Sequence, residues 1–439
     1  MRDAPRLNLE KIYNSSLQPT LKAVPRSAEN TRLADLPSLE LDLLAGDIPL
    51  PVAVLKDSAM QHNIRWMQDF TKRAGVSLCP HGKTTMAPQL FDRQLAAGSW
   101  GMSAATAAHV RTYRQFGIQR IVLANQLTGK ANIALVLGEL ADDPDFDFYC
   151  LIDSFDGLRE LEVAARGINP GRPLQVLLEI GVAGGRTGVR SEDEAVALGR
   201  AIRDAAPTIA LRGIEGYEGI IAGDDPLIVE EQVVDLLEKM GSIAALGCDE
   251  DWFAPGEVIL SAGGSSFFDL VTSVLGQAEV PREKRIVLRS GCYVTHDSFH
   301  FSKQQPRMRE RSAAIWGADP GLRNALEVWA SVHSVPESHR AICGLGKRDA
   351  SYDMKLPQPL FWYRPDVHDS PVEVSKNFRV TALNDQHAYV DSVDEAIEWR
   401  PGDLVGFGIA HPCTTFDKWA LLFQVDDRYR VTDAVRTFF

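Results

Sequence analysis

The sequence predicts an α/β chain: a closed (β/α)8 barrel followed by an antiparallel β-domain. Three observations carry this expectation. Between residues 51 and 310, short apolar runs alternate with helix-spaced stretches, and strands alternating with helices imply a parallel sheet. About nine such strands follow one another at regular spacing, which favours a closed barrel over an open sheet. After residue 310 the texture becomes alternating, β-branched and punctuated by turns, as in FRVTALNDQHAYVDS and ALLFQVDDRYRVTDAV. That is the pattern of an all-β domain.

In chain order, residues 1–50 are irregular and charged, and are expected to pack back onto the β-domain. PVAVL (51–55) reads as the first strand, and 57–74 as a helix with Met60, Ile64, Met67 and Phe70 on one face. GVSLC (75–79), SWGMSA (99–104), RIVLANQ (120–126), FDFYCLIDS (146–154) and LQVLLEIG (174–181) continue the series. LRGIEGYEG (211–219), EVILSAGG (257–264) and RIVLRSG (285–291) complete it, with amphipathic helices between. No GxGxxG follows the first strand, which lowers a dinucleotide-binding reading. The expected division is 1–50, a barrel over 51–310 and a β-domain over 311–439.

Composition narrows the function. The 439 residues are 45% hydrophobic and 24% charged, with net charge −13 and pI near 5.3. An acidic surface argues against nucleic acid or an anionic membrane as partner. No signal-peptide pattern and no long apolar span is seen, and the six cysteines form no CxxC pair. The expectation is a cytoplasmic protein with free thiols.

In a parallel barrel, chemistry sits at the C-terminal ends of the strands. Those ends are HGK (81–83), NQ (125–126), IGVAGGRTG (180–188), GYEG (216–219), SAGGSS (261–266) and SGCYVTHD (290–297). His81 and Lys83 stand two apart, so on a strand they share a face. Glycine-rich turns after apolar strands expose N–H groups that cradle phosphate. One lysine, an inward arginine and two such turns suggest pyridoxal phosphate held as a Schiff base. The alternative is that the glycines simply end strands and Lys83 is solvated. A second constellation is AHPCTTFDKW (410–419), where His411 and Cys413 could face one ion. Imidazole with thiolate suits Zn²⁺. The alternative is a packed histidine beside a buried cysteine.

PHGKTTMAP, GGRTGV, GYEG, SAGG, GCYVTHD and HPCTTFDKW occur in an order that resembles the D-serine dehydratase and D-threonine aldolase family. The resemblance spans roughly residues 50–435. It implies an alanine-racemase-type barrel carrying pyridoxal phosphate and a C-terminal β-domain. By position, Lys83 resembles the cofactor-bearing lysine, and Arg186 the arginine facing the pyridine nitrogen. Tyr217 resembles the tyrosine beside the cofactor. Gly263, Gly264 and Ser265 match the phosphate turn, with Gly291, Cys292 and Tyr293 as its other wall. His411 and Cys413 match the metal ligands of the dehydratase branch. His81, Lys83 and Tyr217 are the candidate catalytic residues. Members often carry a histidine just after the lysine, where this chain has Thr84, Thr85 and Met86. That departure bears on substrate more than on cofactor.

The resemblance implies a D-3-hydroxy amino acid substrate and a homodimer. An arginine opposite the pyridine nitrogen weakens the electron sink, and zinc can compensate by taking the β-oxygen. The expected reaction is loss of water, giving a 2-oxo acid and ammonia. The alternative is a metal-dependent aldolase giving glycine and an aldehyde, where an aspartate tends to stand in place of Cys413. A racemase would need a second acid–base group, for which Tyr352 and Tyr363 are candidates. Arg348 is a candidate for a substrate with an extra carboxylate.

Overall fold

The computed structural model describes residues 7–393 and 395–439. Strand β1 (Val52–Lys56) comes first. Eight parallel strands then form one sheet: β2 (Ser77–Leu78), β3 (Met102–Ala104), β4 (Arg120–Gln126), β5 (Asp147–Ile152), β6 (Leu174–Ile180), β7 (Ile209–Gly216), β8 (Val258–Ala262) and β9 (Lys284–Leu288). Their order is β2-β9-β8-β7-β6-β5-β4-β3. The ring closes between the segments of β2 and β3, where Trp100 N donates to Leu78 O (2.7 Å) and Ser103 N to Pro80 O (2.8 Å). The expected parallel barrel is therefore present. Its strands are buried on both faces, so they read as continuous apolar runs.

The second sheet is antiparallel apart from one pair. It comprises β10 (Leu326–Glu337), β11 (Arg340–Cys343), β12 (Gln358–Tyr363), β13 (Val372–Glu373), β14 (Phe378–Leu383), β15 (Ala388–Ser392), β16 (Leu404–Gly408), β17 (Leu421–Val425) and β18 (Val431–Arg436). Strand β1 also belongs here. It pairs antiparallel with β10 and parallel with β17. The expectation that residues 51–55 open the barrel is thus corrected. An apolar run buried on both faces looks the same at the centre of either sheet.

The other boundary moves as well. The helix Phe301–Arg311 is tied to the barrel by Arg311, which pairs with Asp269 (2.8 Å) and with Glu230. Trp316 is fully buried against Trp66, Phe70 and Phe268. The barrel body thus runs past residue 310, almost to β10.

Residues 7–50 touch both bodies. Val431 N donates to Leu41 O (2.8 Å), and Lys22 pairs with Asp349 (3.0 Å) in the second body. Asn8 N donates to Phe116 O (3.0 Å) in the barrel. Among the described residues no helix is long and apolar enough to cross a membrane.

Candidate active site

A cavity of about 470 Å³ opens at the C-terminal ends of the barrel strands, and loops of the second sheet form its far wall. Lys83 reaches it by an irregular route. β2 ends at Leu78, and Gly82–Thr84 form a turn of 3-10 helix. The expectation that His81 and Lys83 share a strand face is therefore not how they meet, yet both line the cavity. Gly82 permits the turn, because a Cβ there would lie 2.3 Å from the Tyr113 hydroxyl. Lys83 stands free in the cavity and makes no hydrogen bond or ion pair among the described residues. The surrounding protein, and after it Arg186 and Arg289, lower its pKa, although the Cys413 thiolate opposes this. A lysine so placed has more free amine to offer as nucleophile or base.

Of the other expected residues, His81, Arg186, Tyr217, Gly264, Ser265, Gly291, Cys292, His411 and Cys413 also line the cavity. Gly263 lies behind it, with φ +93° and no room for a Cβ, which would lie 2.6 Å from Leu288 Cδ2. Tyr293 is not brought in. It is buried, and its hydroxyl accepts a hydrogen bond from Gln94 Nε2 (3.0 Å). Only the Gly291–Cys292 side of that turn forms the wall. Gly291 is required there, since a Cβ would sit 2.4 Å from His81 O. Ser290 Oγ donates to Gly264 O (2.7 Å) and Gly263 O (3.1 Å), joining the two turns into one cradle.

Arg186 is exposed at the rim, its guanidinium 5.0 Å from the centre of the Tyr217 ring. The arginine held inside the barrel is Arg289, which the sequence reading did not name. Its guanidinium donates to Ser261 Oγ (2.7 Å) and Gly216 O (3.1 Å) and pairs with Glu215. Burial pushes the Glu215 carboxyl up to about 8, against the pull of Arg289 and with help from Glu179. The ion-pair geometry and this shift point opposite ways, and in so closed a site burial decides. Glu179 is also raised by burial, and accepts from Thr187 Oγ1 (2.6 Å) and Gln126 Nε2. The buried atoms His81 Nδ1 and Glu215 Oε2 have no hydrogen-bond partner among the described residues. A lone RSG after a strand and a lone E in GIEGY carry no signal of this.

The second sheet supplies His411 and Cys413. The expected strand context is wrong: β16 stops at Gly408, and Cys413 opens the short helix Cys413–Phe416. Pro412, in the helical region of φ/ψ, turns the two side chains together. His411 Nδ1 lies 2.6 Å from Asp353 Oδ2, a residue the sequence reading missed. The hydrogen bond with the Cys413 sulfur, and then Asp353, push the imidazole up to about 9 despite partial burial. Cys413 is held well below the usual thiol range, chiefly by a hydrogen bond from the Cys292 thiol, which is raised in turn. His300 completes this wall. Tyr352, Tyr363 and Arg348 do not line the cavity, and Arg348 lies 3.7 Å from Asp385.

The cavity fits both expected groups. A free lysine, orphaned buried polar atoms and a glycine cradle suit a phosphorylated pyridine aldehyde. An imidazole beside a low-pKa thiol suits a soft divalent metal. Among the described residues no cluster of three or more His, Cys, Asp or Glu side chains is arranged to hold a metal. Protein would thus supply two ligands, leaving positions for water or substrate.

Two family descriptions match the chain in tandem. Residues 56–246 match the alanine racemase N-terminal domain, and residues 325–425 match a putative serine dehydratase domain. The chain belongs to the fold-type III family of pyridoxal-phosphate-dependent proteins. Within it, the chain is 25% identical to a D-threonine aldolase of Arthrobacter sp., covering 78% of this chain and 80% of that one. It is 30% identical to the D-threo-3-hydroxyaspartate dehydratase of Delftia sp. (strain HT23), over 38% of this chain and 43% of the relative. A solved D-threo-3-hydroxyaspartate dehydratase variant in a metal-free form superposes with TM-score 0.66 at 20% identity, over 91% of this chain and 99% of that one. That likeness is one of fold.

Proposed function

We propose that this protein is a pyridoxal-phosphate- and zinc-dependent D-3-hydroxy amino acid dehydratase. Relatives that act as aldolases and dehydratases on such compounds support the lyase class. The observation that carries the dehydratase choice is Cys413: a thiol with lowered pKa beside His411, in the same cavity as Lys83. Thiolate with imidazole favours zinc over the harder ions.

When bound, the cofactor would withdraw electrons from the substrate's Cα, and the metal would polarise the β-hydroxyl. The chain's own residues do the rest. Lys83 is the attachment point and, as free amine, the acceptor of the Cα proton. His411 and Cys413 would hold the metal, and Asp353 fixes the tautomer of His411 by accepting a hydrogen bond from its Nδ1–H. Tyr217, with Arg186 over its ring, packs against the cofactor position. Arg289 and Arg186 are the two arginines that could address the pyridine ring, and the buried, anchored one is Arg289. Gly264, Ser265, Gly291 and Cys292 form the phosphate cradle. The net change is loss of water, then of ammonia, leaving a 2-oxo acid. We also read the protein as a cytoplasmic homodimer, which light scattering would check.

The aldolase reading is favoured by the D-threonine aldolase of Arthrobacter sp., which matches over 78% of this chain. Product analysis decides between them. Protein loaded with pyridoxal phosphate and zinc and given D-threonine should release ammonia and 2-oxobutanoate, with loss on chelation and in Cys413→Ala. Glycine and acetaldehyde would overturn the dehydratase choice.

A further inference from the structure

The barrel has a second cavity, of about 480 Å³, at the opposite, N-terminal ends of its strands. Three guanidinium groups line it, those of Arg120, Arg212 and Arg285, against two carboxylates, Asp147 and Glu257. Both carboxylates are taken. Asp147 accepts from Arg120 Nε (2.5 Å) and Gln175 Nε2 (2.8 Å), and Glu257 accepts two bonds from Arg285. Arg212 has no acidic partner among the described residues. Its Nη1 donates to Pro255 O, its Nε is buried without a partner, and its Nη2 donates to none of those residues. Arg120 places Nη1 on Trp100 O (3.1 Å) and likewise leaves Nη2 unused. The three arginines act on one place. The hydrogen bond from Arg285 holds the Glu257 carboxyl below its usual range against burial, and Arg212 and Arg120 add to that pull. Arg120 and Arg285 also lie 4.5 and 5.9 Å from the centre of the Trp100 ring, which helps to fix the planes of their forks.

Guanidinium groups stay charged, so the cavity keeps one positive charge in excess on a protein of net charge −13. Arg212 has given up water at Nε without gaining a partner, and a counter-ion would offset part of that cost. We propose that the N-terminal mouth is a second binding site, for a small oxyanion (a phosphate group or a carboxylate) held by the unused N–H edges of Arg212 and Arg120. Such edges match both kinds of oxyanion. The site is independent of the function proposed above. No residue lines both cavities, and a buried apolar cluster containing Val122, Leu177 and Val287 fills the barrel between them. The competing role for Arg212 is a clamp on the turn at Pro255, with water alone in the mouth.

The test titrates the full-length protein and Arg212→Gln with inorganic phosphate and, separately, with acetate, by calorimetry at constant ionic strength. The protein is first saturated with pyridoxal phosphate, so that the upper cavity takes no free phosphate. Should the cofactor fail to bind, the cofactor reading falls, and the difference between parent and variant still reports the lower mouth. Saturable binding to the parent, weakened about ten-fold or more in Arg212→Gln, is expected. Tighter binding of phosphate would mark the ligand as a phosphate group, and equal or tighter binding of acetate as a carboxylate. Arg212→Lys covers a failure of Arg212→Gln to fold: it keeps the charge but loses the fork, and should bind several-fold more weakly than the parent. Parent-like affinity in the variants, or no saturable binding of either anion, would overturn the site and leave Arg212 a clamp.

Discussion

The two mouths of the barrel carry similar side chains in opposite states. At the N-terminal mouth, Arg285 grips Glu257 through two bonds of 2.6 and 2.7 Å, and Arg120 pairs with Asp147 (2.5 Å). Gln175 Nε2 also donates to Asp147 (2.8 Å). At the C-terminal mouth, Lys83 has no partner among the described residues, buried atoms of His81 and Glu215 are orphaned, and burial, with Glu179 and Glu218 nearby, raises the Glu215 pKa. A fold that pairs most of its charged groups at one end, where Arg212 Nε is a buried orphan, and leaves a lysine and buried carboxyl and imidazole atoms unpaired at the other is storing free energy where a ligand can release it. The comparison predicts that substitutions at the C-terminal mouth cost activity, and those at the N-terminal mouth cost stability.

The largest effect belongs to Lys83. Lys83→Ala should lower turnover about a thousand-fold or more, with a melting temperature equal to or above that of the parent. A variant that keeps its activity would break the comparison. Cys413→Ser comes next. It should lose about a hundred-fold in activity and most of its tightly held zinc, measured by metal analysis after dialysis. Asp353→Asn is milder, since it disturbs only the orientation of His411. A loss of about 10- to 100-fold in zinc affinity is expected, while the absorbance of bound cofactor stays as in the parent. Loss of cofactor with unchanged metal would contradict the role given to Asp353.

How much of this could be read from the chain follows from the type of signal. Strand–helix alternation revealed the parallel barrel, because fully buried strands are apolar throughout. The same uniformity hid the fact that β1 serves the other sheet, since partner choice leaves no mark on a strand buried on both faces. Expected residues in compact motifs do line the cavity: Lys83 in PHGK, Arg186 in GGRTG, and His411 with Cys413 in HPC. Those that act through a distant partner were missed. Arg289 is made visible only by Glu215, Ser261 and the Gly216 carbonyl, and Asp353 only by His411, 58 residues away. Tyr293 was misplaced because a motif position does not say which way a side chain leaves a turn.

The buried acid supplies a test that involves no turnover. The folded-state pKa of Glu215 is raised to about 8, above the ordinary carboxyl value of about 4.3. The native state therefore holds a proton that the unfolded chain gives up. The resulting stabilisation is complete below the ordinary carboxyl range and is lost as pH rises through about 8. Glu215→Gln keeps an oxygen for Arg289 but cannot titrate. Its denaturant midpoint should change less than the parent's between about pH 5 and about pH 8. Parallel curves for the two proteins would show that Glu215 stays ionised.

The smallest expected effect lies at the other mouth. Arg285 and Glu257 are each about one-third exposed, at 32%, so water and salt screen their pairing. Arg285→Gln should cost about 1 kcal/mol or less, and the cost should shrink as salt is added. Arg285 Nη1 also donates to Ser77 Oγ (2.8 Å), which ties β9 to β2, the strand leading to Lys83. A local loss of grip could in principle travel along β2. It must pass Leu78, whose carbonyl is held by Trp100 N (2.7 Å), and Cys79, whose N–H is held by Leu288 O (2.7 Å). Those bonds isolate the lysine turn from the mouth below it, so kcat and cofactor affinity should be unchanged. A fall of about ten-fold in kcat at unchanged melting temperature would be a loss of transition-state stabilisation without a loss of fold. The paired end would then be part of the catalytic apparatus, and the division between the two mouths would not hold.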